Sequence, residues 1–173
     1  MEITKASEEQ YSAVRAFYHS MIDSMTGSAC DLHWRKDVYP GPDFLIDSIR
    51  GGELYIAVDT GEILASMVLN HVCNDSCQEA QWTTEAQAGE VTIIHALGVH
   101  PAHKGREIGR QMVQSAIETA RRNRQKAVRL DVLKENLLAE RLYESMGFRR
   151  IHTLRMFYES TGWMEFVLYE YRI

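Results

Sequence analysis

The stretch Leu97-Gly98-Val99-His100-Pro101-Ala102-His103-Lys104-Gly105-Arg106-Glu107-Ile108-Gly109-Arg110 decides how this chain is read. An apolar run ends at a proline, and a short basic turn containing glycine then opens a long amphipathic segment. That is the layout of a strand delivering an anionic, phosphate-bearing ligand to the first turn of a helix. Unpaired backbone N–H groups and the positive end of the helix dipole meet the anion there.

Working outward, Val91 to Val99 is apolar enough for a central strand, and Ile108, Met112, Val113, Ala116, Ile117 and Ala120 recur at helical spacing. Arg110, Gln114, Glu118 and Arg121 fall on the opposite, solvent side. Ala127 to Leu133 alternates as a strand. A strand–helix–strand crossover makes these two strands parallel, with a right-handed connection. Asn136 to Met146 has helical spacing and is followed by Gly147, a natural residue just past a helix C-terminus. Two strands, near Phe148 to Tyr158 and Trp163 to Tyr171, close the chain.

Toward the N-terminus, Met1 to Lys5 reads as a strand, and Ser7 with Gln10 forms a capping-box pattern ahead of a helix carrying Tyr11, Val14, Tyr18, Met21 and Met25. Pro40-Gly41-Pro42 forces a turn before a short helix. Leu54 to Val58 and Glu62 to Asn70 are strands joined by Asp59-Thr60-Gly61, a hairpin signal. Val72 to Gly89 is polar and reads as a hairpin arm or a loop. The fold class is mixed α/β.

Composition narrows the classes. A chain of 173 residues without repeats or low-complexity linkers reads as a single domain over 1–173. A net charge of −5 speaks against nucleic acid and is compatible with a cationic amine. No apolar run has the length of a membrane span and no secretory leader is evident, so a cytoplasmic location and no membrane partner are expected. Cys30, Cys73 and Cys77 lack the spacing of a disulfide framework. Cys73-x-x-x-Cys77 has no second pair to complete a zinc site, and His95, His100 and His103 do not converge, so no metal is expected.

Two motifs resemble those of the GCN5-related N-acetyltransferase family. Val99-x-Pro101 followed by Lys104-Gly105-Arg106-Glu107-Ile108-Gly109 is similar to its acyl-CoA-binding pattern. Asn136, Ala139 and Leu142-Tyr143-Glu144-Ser145-Met146-Gly147-Phe148 are similar to its Asn…Ala…Leu-Tyr-x-x-x-Gly-Phe helix. The resemblance implies a central, mixed, mostly antiparallel sheet flanked by about four helices. It implies acetyl-CoA as cofactor, with coenzyme A as product, and direct transfer to a primary amine without an acyl-enzyme. A small-molecule acceptor is favoured. A longer acyl group and a homodimer through the C-terminal strands are both compatible with the family. A non-catalytic acyl-CoA-binding or interaction module on the same fold is the alternative.

The resemblance also assigns roles. Lys104, Gly105, Arg106, Ile108, Gly109 and Arg110 would hold the pyrophosphate, and the backbone of Leu97, Gly98 and Val99 the pantetheine arm. Asn136, Ala139 and Tyr143 would address the same cofactor. Glu107 departs from the pattern, because a carboxylate replaces the first glycine. It either points outward or repels the phosphates, and the outward orientation is preferred. Tyr143 would donate a proton, or a hydrogen bond, to the departing thiolate; its alternative is a packing tyrosine. His95 shares the strand face of Leu97 and Val99 and has the pKa of a general base. Its alternative is a satisfied core histidine, and Glu90 and Glu79 are weaker candidates. Trp34, Tyr39 and Trp82 could frame an acceptor pocket, although each reads first as a packing residue. Arg121, Arg122, Arg124, Lys126 and Arg129 read as a solvated helix end.

Overall fold

The computed structural model describes residues 1–28, 31–74, 77 and 80–173. In chain order the elements are β1 (Glu2–Lys5), α1 (Tyr11–Met25), α2 (Pro42–Arg50), β2 (Leu54–Asp59), β3 (Glu62–Asn70) and β4 (Val91–Val99). They continue with α3 (Ile108–Arg122), β5 (Ala127–Leu133), α4 (Leu137–Ser145), β6 (Arg149–Tyr158) and β7 (Gly162–Arg172). The strands form a seven-stranded sheet in the order β1-β2-β3-β4-β5-β7-β6. The crossover prediction holds: β4 and β5 pair in parallel, Val91 with Ala127 through Ile93 with Arg129. The pairs β1–β2, β2–β3, β5–β7 and β6–β7 are antiparallel. No helix among the described residues is long and apolar enough to cross a membrane. Cys30 and Glu79 lie outside the described residues.

Local chemistry accounts for the element boundaries. The Ser7 N–H donates to Gln10 Oε1 at 3.0 Å, closing the turn that leads into α1. Pro42 occupies the first helical positions of α2, where its missing N–H costs nothing. Asp59 pairs with Glu62, which leaves Thr60 (φ 48°) and Gly61 (φ 85°) as a two-residue loop. Two positive φ values in succession are the type I′ turn whose twist suits a hairpin. Asn136 Oδ1 accepts from the Ala139 N–H at 3.2 Å to cap α4, and Gly147 (φ 91°) follows its end.

The chain packs as two compact units. The first contains residues 1–69 and 95–112. Its core joins Val14, Tyr18 and Met21 of α1 to Leu45 and Ile49 of α2, to Leu54, Ile56 and Val68, and to Ala96 of β4. Here β4 departs from a regular pleat, because Ala96 sits at φ 48°. The buried Tyr18 hydroxyl donates to the Ala96 carbonyl at 2.8 Å and holds the kink. Exposure still alternates along the strand: His95, Leu97 and Val99 are half-buried, and Ala96 and Gly98 are buried. Gly98 lies directly under α1, so a Cβ built there would sit 2.5 Å from Met21 Sδ.

The second unit contains residues 70–94 and 113–173. Cys77, Leu133, Met156, Phe166 and Leu168 form its main apolar cluster. The segment 80–90 has no strand, so the hairpin-arm reading is not realised there. Its place is set by Glu170, which is 2% exposed. One Glu170 oxygen accepts from both threonine hydroxyls, Thr83 and Thr84, and from the Thr84 N–H at 3.0 Å. The other accepts from Arg129 Nε at 2.8 Å. Arg129 also donates to the Thr84 carbonyl at 2.7 Å, and its guanidinium lies 4.4 Å over the Trp82 ring. This corrects the reading of Arg129 as part of a solvated helix end. At 8% exposure it is a buried, fully engaged cation.

Gly98→Ala should destabilise the protein by about 1–3 kcal/mol through overpacking against Met21. Urea unfolding of the two proteins side by side measures it; equal midpoints would show that α1 yields without cost.

Candidate functional site

The turn after β4 is built by hydrogen bonds that fix histidine tautomers. The His100 N–H donates to the Leu64 carbonyl at 3.0 Å, and the Ala102 N–H donates to His100 Nδ1 at 3.2 Å. A ring nitrogen that accepts carries no proton, so the His100 proton sits on Nε2, 3.1 Å from Ser20 Oγ, and donates there. His103 Nε2 lies 3.1 Å from Glu62 Oε1. The His100 and His103 rings are 5.9 Å apart, each occupied by its own partner.

Beyond His103 the chain is exposed from Lys104 to Glu107. Gly105 takes φ 80°, and a Cβ built on it would meet nothing within 4 Å, so backbone is openly approachable at this point. Glu107 takes φ 56°, which explains physically why a glycine suits its position. Its carbonyl accepts the first α3 hydrogen bond, from the Gln111 N–H at 3.0 Å. Its side chain is 70% exposed and accepts from Arg110 Nε at 2.9 Å. The carboxylate thus points outward and is neutralised by the next turn of the helix. Arg106 is engaged as well, 2.6 Å from Asp59 Oδ2 and holding that carboxyl below its usual range together with the chain's own amino group. Lys104 is exposed and has no ion pair among the described residues. Arg106 and Arg110 are therefore each matched by a carboxylate, Asp59 and Glu107.

The two kinds of aromatic candidate separate. Trp34 and Tyr39 pack against the first unit's core, with ring centroids 5.1 Å apart and Trp34 6.3 Å from Tyr18. Trp82 belongs to the second unit. It donates from Nε1 to the Cys77 carbonyl at 3.0 Å and carries Arg129 on its face.

In the second unit α4 buries Tyr143, whose ring lies 5.5 Å from Phe148 and 6.1 Å from Tyr169. Burial, and then the negative charge of Asp131, push its phenol above the usual value. Tyr143 is thus a protonated hydrogen-bond donor throughout the physiological range. Asn136 and Ala139 open the same helix, where the Asn136 oxygen serves as the cap.

Asp131 is a desolvated carboxyl of the second unit that sequence reasoning did not single out. It is half-buried on β5 and accepts from the Tyr158 hydroxyl at 3.1 Å. Desolvation pushes its carboxyl up to about 6, against the opposing pull of that hydrogen bond. The available signal was its setting: a carboxylate between Leu130 and Val132 on a strand with both neighbours apolar is desolvated on a central strand. Glu90, by contrast, accepts from Lys126 at 2.7 Å and from the Gln87 N–H at 3.0 Å. Those partners hold it below the usual carboxylate range, which makes it a weak base. His95 is half-buried on β4.

A family model described as Acetyltransferase (GNAT) family matches residues 15–148. The chain is 38% identical over 69 residues to the N-alpha-acetyltransferase RimI of Mycobacterium tuberculosis, a stretch covering 40% of this chain and 42% of that protein. The matched region thus spans well under half of that relative. Among solved structures, an acetyltransferase of the GNAT family from Streptococcus agalactiae superposes with a TM-score of 0.78 at 14% identity, covering 99% of this chain and 95% of the other. The yncA protein of Salmonella typhimurium, solved with its cofactor acetyl-CoA, gives 0.72 at 17% identity, covering 99% and 93%. At these identities the superpositions speak for the fold.

The raised Asp131 pKa has a stability consequence of definite sign. A carboxyl raised from 3.8 to about 6 on folding stabilises the folded state fully below pH 3.8, and that contribution is lost as pH rises to 6. Asp131→Asn removes this dependence. Above pH 6 the variant should be more stable than wild type, by up to about 3 kcal/mol. Urea titrations between pH 4 and 8 read this out; a constant difference across that range would contradict it.

Proposed function

This chain belongs to the GNAT acetyltransferase family, and we propose that it transfers the acetyl group of acetyl-CoA directly to the nitrogen of a small primary amine. Two side chains of the second unit support the chemistry: Asp131, half-buried on β5 and accepting from the Tyr158 hydroxyl at 3.1 Å, and the buried Tyr143 of α4, whose phenol the Asp131 charge helps to raise. The first is ionised at neutral pH yet basic enough to take a proton. The second keeps its proton and can donate a hydrogen bond.

The residues of the turn suit a coenzyme A pyrophosphate. The N–H groups of Ile108, Gly109 and Arg110 open a helix, where the dipole favours an anion. Gly105 leaves the backbone open, and Lys104 is the cation already available. Arg106 and Arg110 can join by exchanging their carboxylate partners for phosphate. The backbone of Leu97, Gly98 and Val99 would hold the pantetheine arm, and Asn136 and Ala139 the neighbouring part of the ligand. Acetyl-CoA brings an acetyl group already activated as a thioester, so no cysteine nucleophile is required.

In this reading Asp131 accepts one proton from the incoming ammonium, freeing the nitrogen lone pair; as the C–S bond breaks, the nitrogen's second proton passes to the departing sulfur, so that coenzyme A leaves as the thiol. Tyr143 donates a hydrogen bond to the departing sulfur. Full proton transfer from so weakly acidic a phenol to a thiolate, whose conjugate acid titrates near 8.5, is uphill, so the hydrogen bond is its contribution. His95 is the second candidate for the base, and substitution separates the two. Asp131→Asn should lower kcat by roughly 10²–10⁴-fold and remove a rise in kcat/KM centred near pH 6. His95→Gln should leave that rise in place.

Calorimetric titration with acetyl-CoA at low and moderate salt tests the reading first. Micromolar, salt-weakened binding is expected, and Glu107→Gly should change it by less than about tenfold, because Arg110 already matches the charge of that carboxylate. Absence of binding up to millimolar ligand would overturn the proposal. Tyr143→Phe should lower turnover while leaving acetyl-CoA binding unchanged; unchanged turnover would return Tyr143 to a packing role.

A further inference from the structure

We propose that Cys73 and Cys77 form a reversible oxidation site, at which hydrogen peroxide converts the two thiols into one disulfide. The proposal is independent of the acetyltransferase reading. Both residues are thiols in this structure, and their spacing belongs to no disulfide framework. The fold nevertheless brings them together.

Three sulfurs meet in the second unit. Cys77 is 3% exposed and belongs to the cluster of Leu133, Met156, Phe166 and Leu168, against which the half-buried Cys73 packs. The Cys77 thiol lies 3.6 Å from Met156 Sδ and is also hydrogen-bonded to Cys73. The backbone supports the same approach, because the Cys77 N–H donates to the carbonyl of Asn74, next to Cys73, at 2.8 Å. A disulfide forms only where the Cα atoms lie within about 7 Å and the sulfurs can close to about 2.05 Å. Thiols already in mutual contact on one apolar cluster are placed for that step.

The two thiols have different parts in it. The hydrogen bond with Cys73, then burial and the charge of Asp131, push the Cys77 thiol up. Cys77 therefore keeps its proton, and the more exposed Cys73 is the nucleophile, since the thiolate is the reactive form. Its sulfur attacks one peroxide oxygen and the O–O bond breaks. The hydroxide that leaves takes up the proton Cys73 released, and a sulfenic acid remains. The Cys77 sulfur then attacks the Cys73 sulfur, the S–O bond breaks, and the departing hydroxide takes the Cys77 proton. Two thiols have lost two electrons and two protons, and one hydrogen peroxide has become two waters. Met156 is fully buried, so the same oxidant reaches Cys73 first. A small dithiol reverses the change by exchange.

Mass spectrometry of peptides tests this. The folded protein is treated with a modest excess of hydrogen peroxide, then unfolded and alkylated with iodoacetamide. Cys73 and Cys77 should lose alkylation together, with a mass lower by two hydrogens across the pair, while Cys30 stays alkylated. Dithiothreitol before alkylation should restore both. Cys73→Ser should leave Cys77 fully alkylated, and Cys77→Ser should hold Cys73 as a sulfenic acid that dimedone captures. The wild-type result decides the proposal by itself, even where a serine variant fails to fold. Cys73 and Cys77 both still alkylated, a bond from either to Cys30 or to a second molecule, or a sulfoxide at Met156 in place of the disulfide would each overturn it. So would a sulfinic acid at Cys73 beside an alkylated Cys77.

Discussion

The hydrogen bond from Tyr18 to the carbonyl of Ala96 is the constraint on which the first unit depends. A strand residue other than glycine at positive φ is costly, of the order of 1–3 kcal/mol, and persists only where its surroundings hold it. A buried phenol also needs a partner, since leaving its hydroxyl unpaired costs about 1–3 kcal/mol. The two needs are met by one 2.8 Å contact. Two residues on, Met21 of the same helix covers Gly98, so α1 bears on β4 at consecutive buried positions. The strand that leads into the basic turn is therefore shaped by a helix almost eighty residues earlier in the chain.

Charge is handled in two ways in this protein. In the first, exposed cations are matched one by one with carboxylates, Arg106 with Asp59 and Arg110 with Glu107. Such pairs are weak and exchangeable. In the second, charge is desolvated. Arg129 and Glu170 satisfy each other under Trp82, while Asp131, which accepts from the Tyr158 phenol, meets desolvation by becoming a weaker acid. A strong pairing leaves a carboxylate inert, and a weak one leaves it chemically responsive. Glu170 and Asp131 sit on neighbouring antiparallel strands and illustrate the two outcomes.

The order of strands and helices, the parallel crossover, the hairpin at Asp59-Thr60-Gly61 and the buried face of α3 were legible because each rests on local periodicity or turn chemistry. The two motifs were legible as sequence. What escaped was whatever depends on partners remote in the chain. Nothing near Ala96 announces a positive φ, since the cause is Tyr18. Arg129 follows four basic residues of a helix end and its surroundings, and only the strand pairing with Glu170 shows that it is buried. Asp131 looked like the polar phase of an alternating strand; a period of two marks which residues share a face, not which face meets water. Trp34, Tyr39 and Trp82 could not be sorted by spacing, because the contacts that divide them lie in different units.

Glu170 has a consequence for how this protein can vary. Its carboxylate gathers the Thr83 and Thr84 groups and the Arg129 guanidinium into one buried knot, and so anchors a segment that has no ladder of its own. The segment is located by chemical matching, at Glu170 and at the hydrogen bond from Trp82 to the Cys77 carbonyl, and not by a strand ladder. Substitutions that keep the threonines, the carboxylate and the guanidinium keep these contacts. A coil fastened in this way is as heritable as a strand, although no periodicity in the sequence records it.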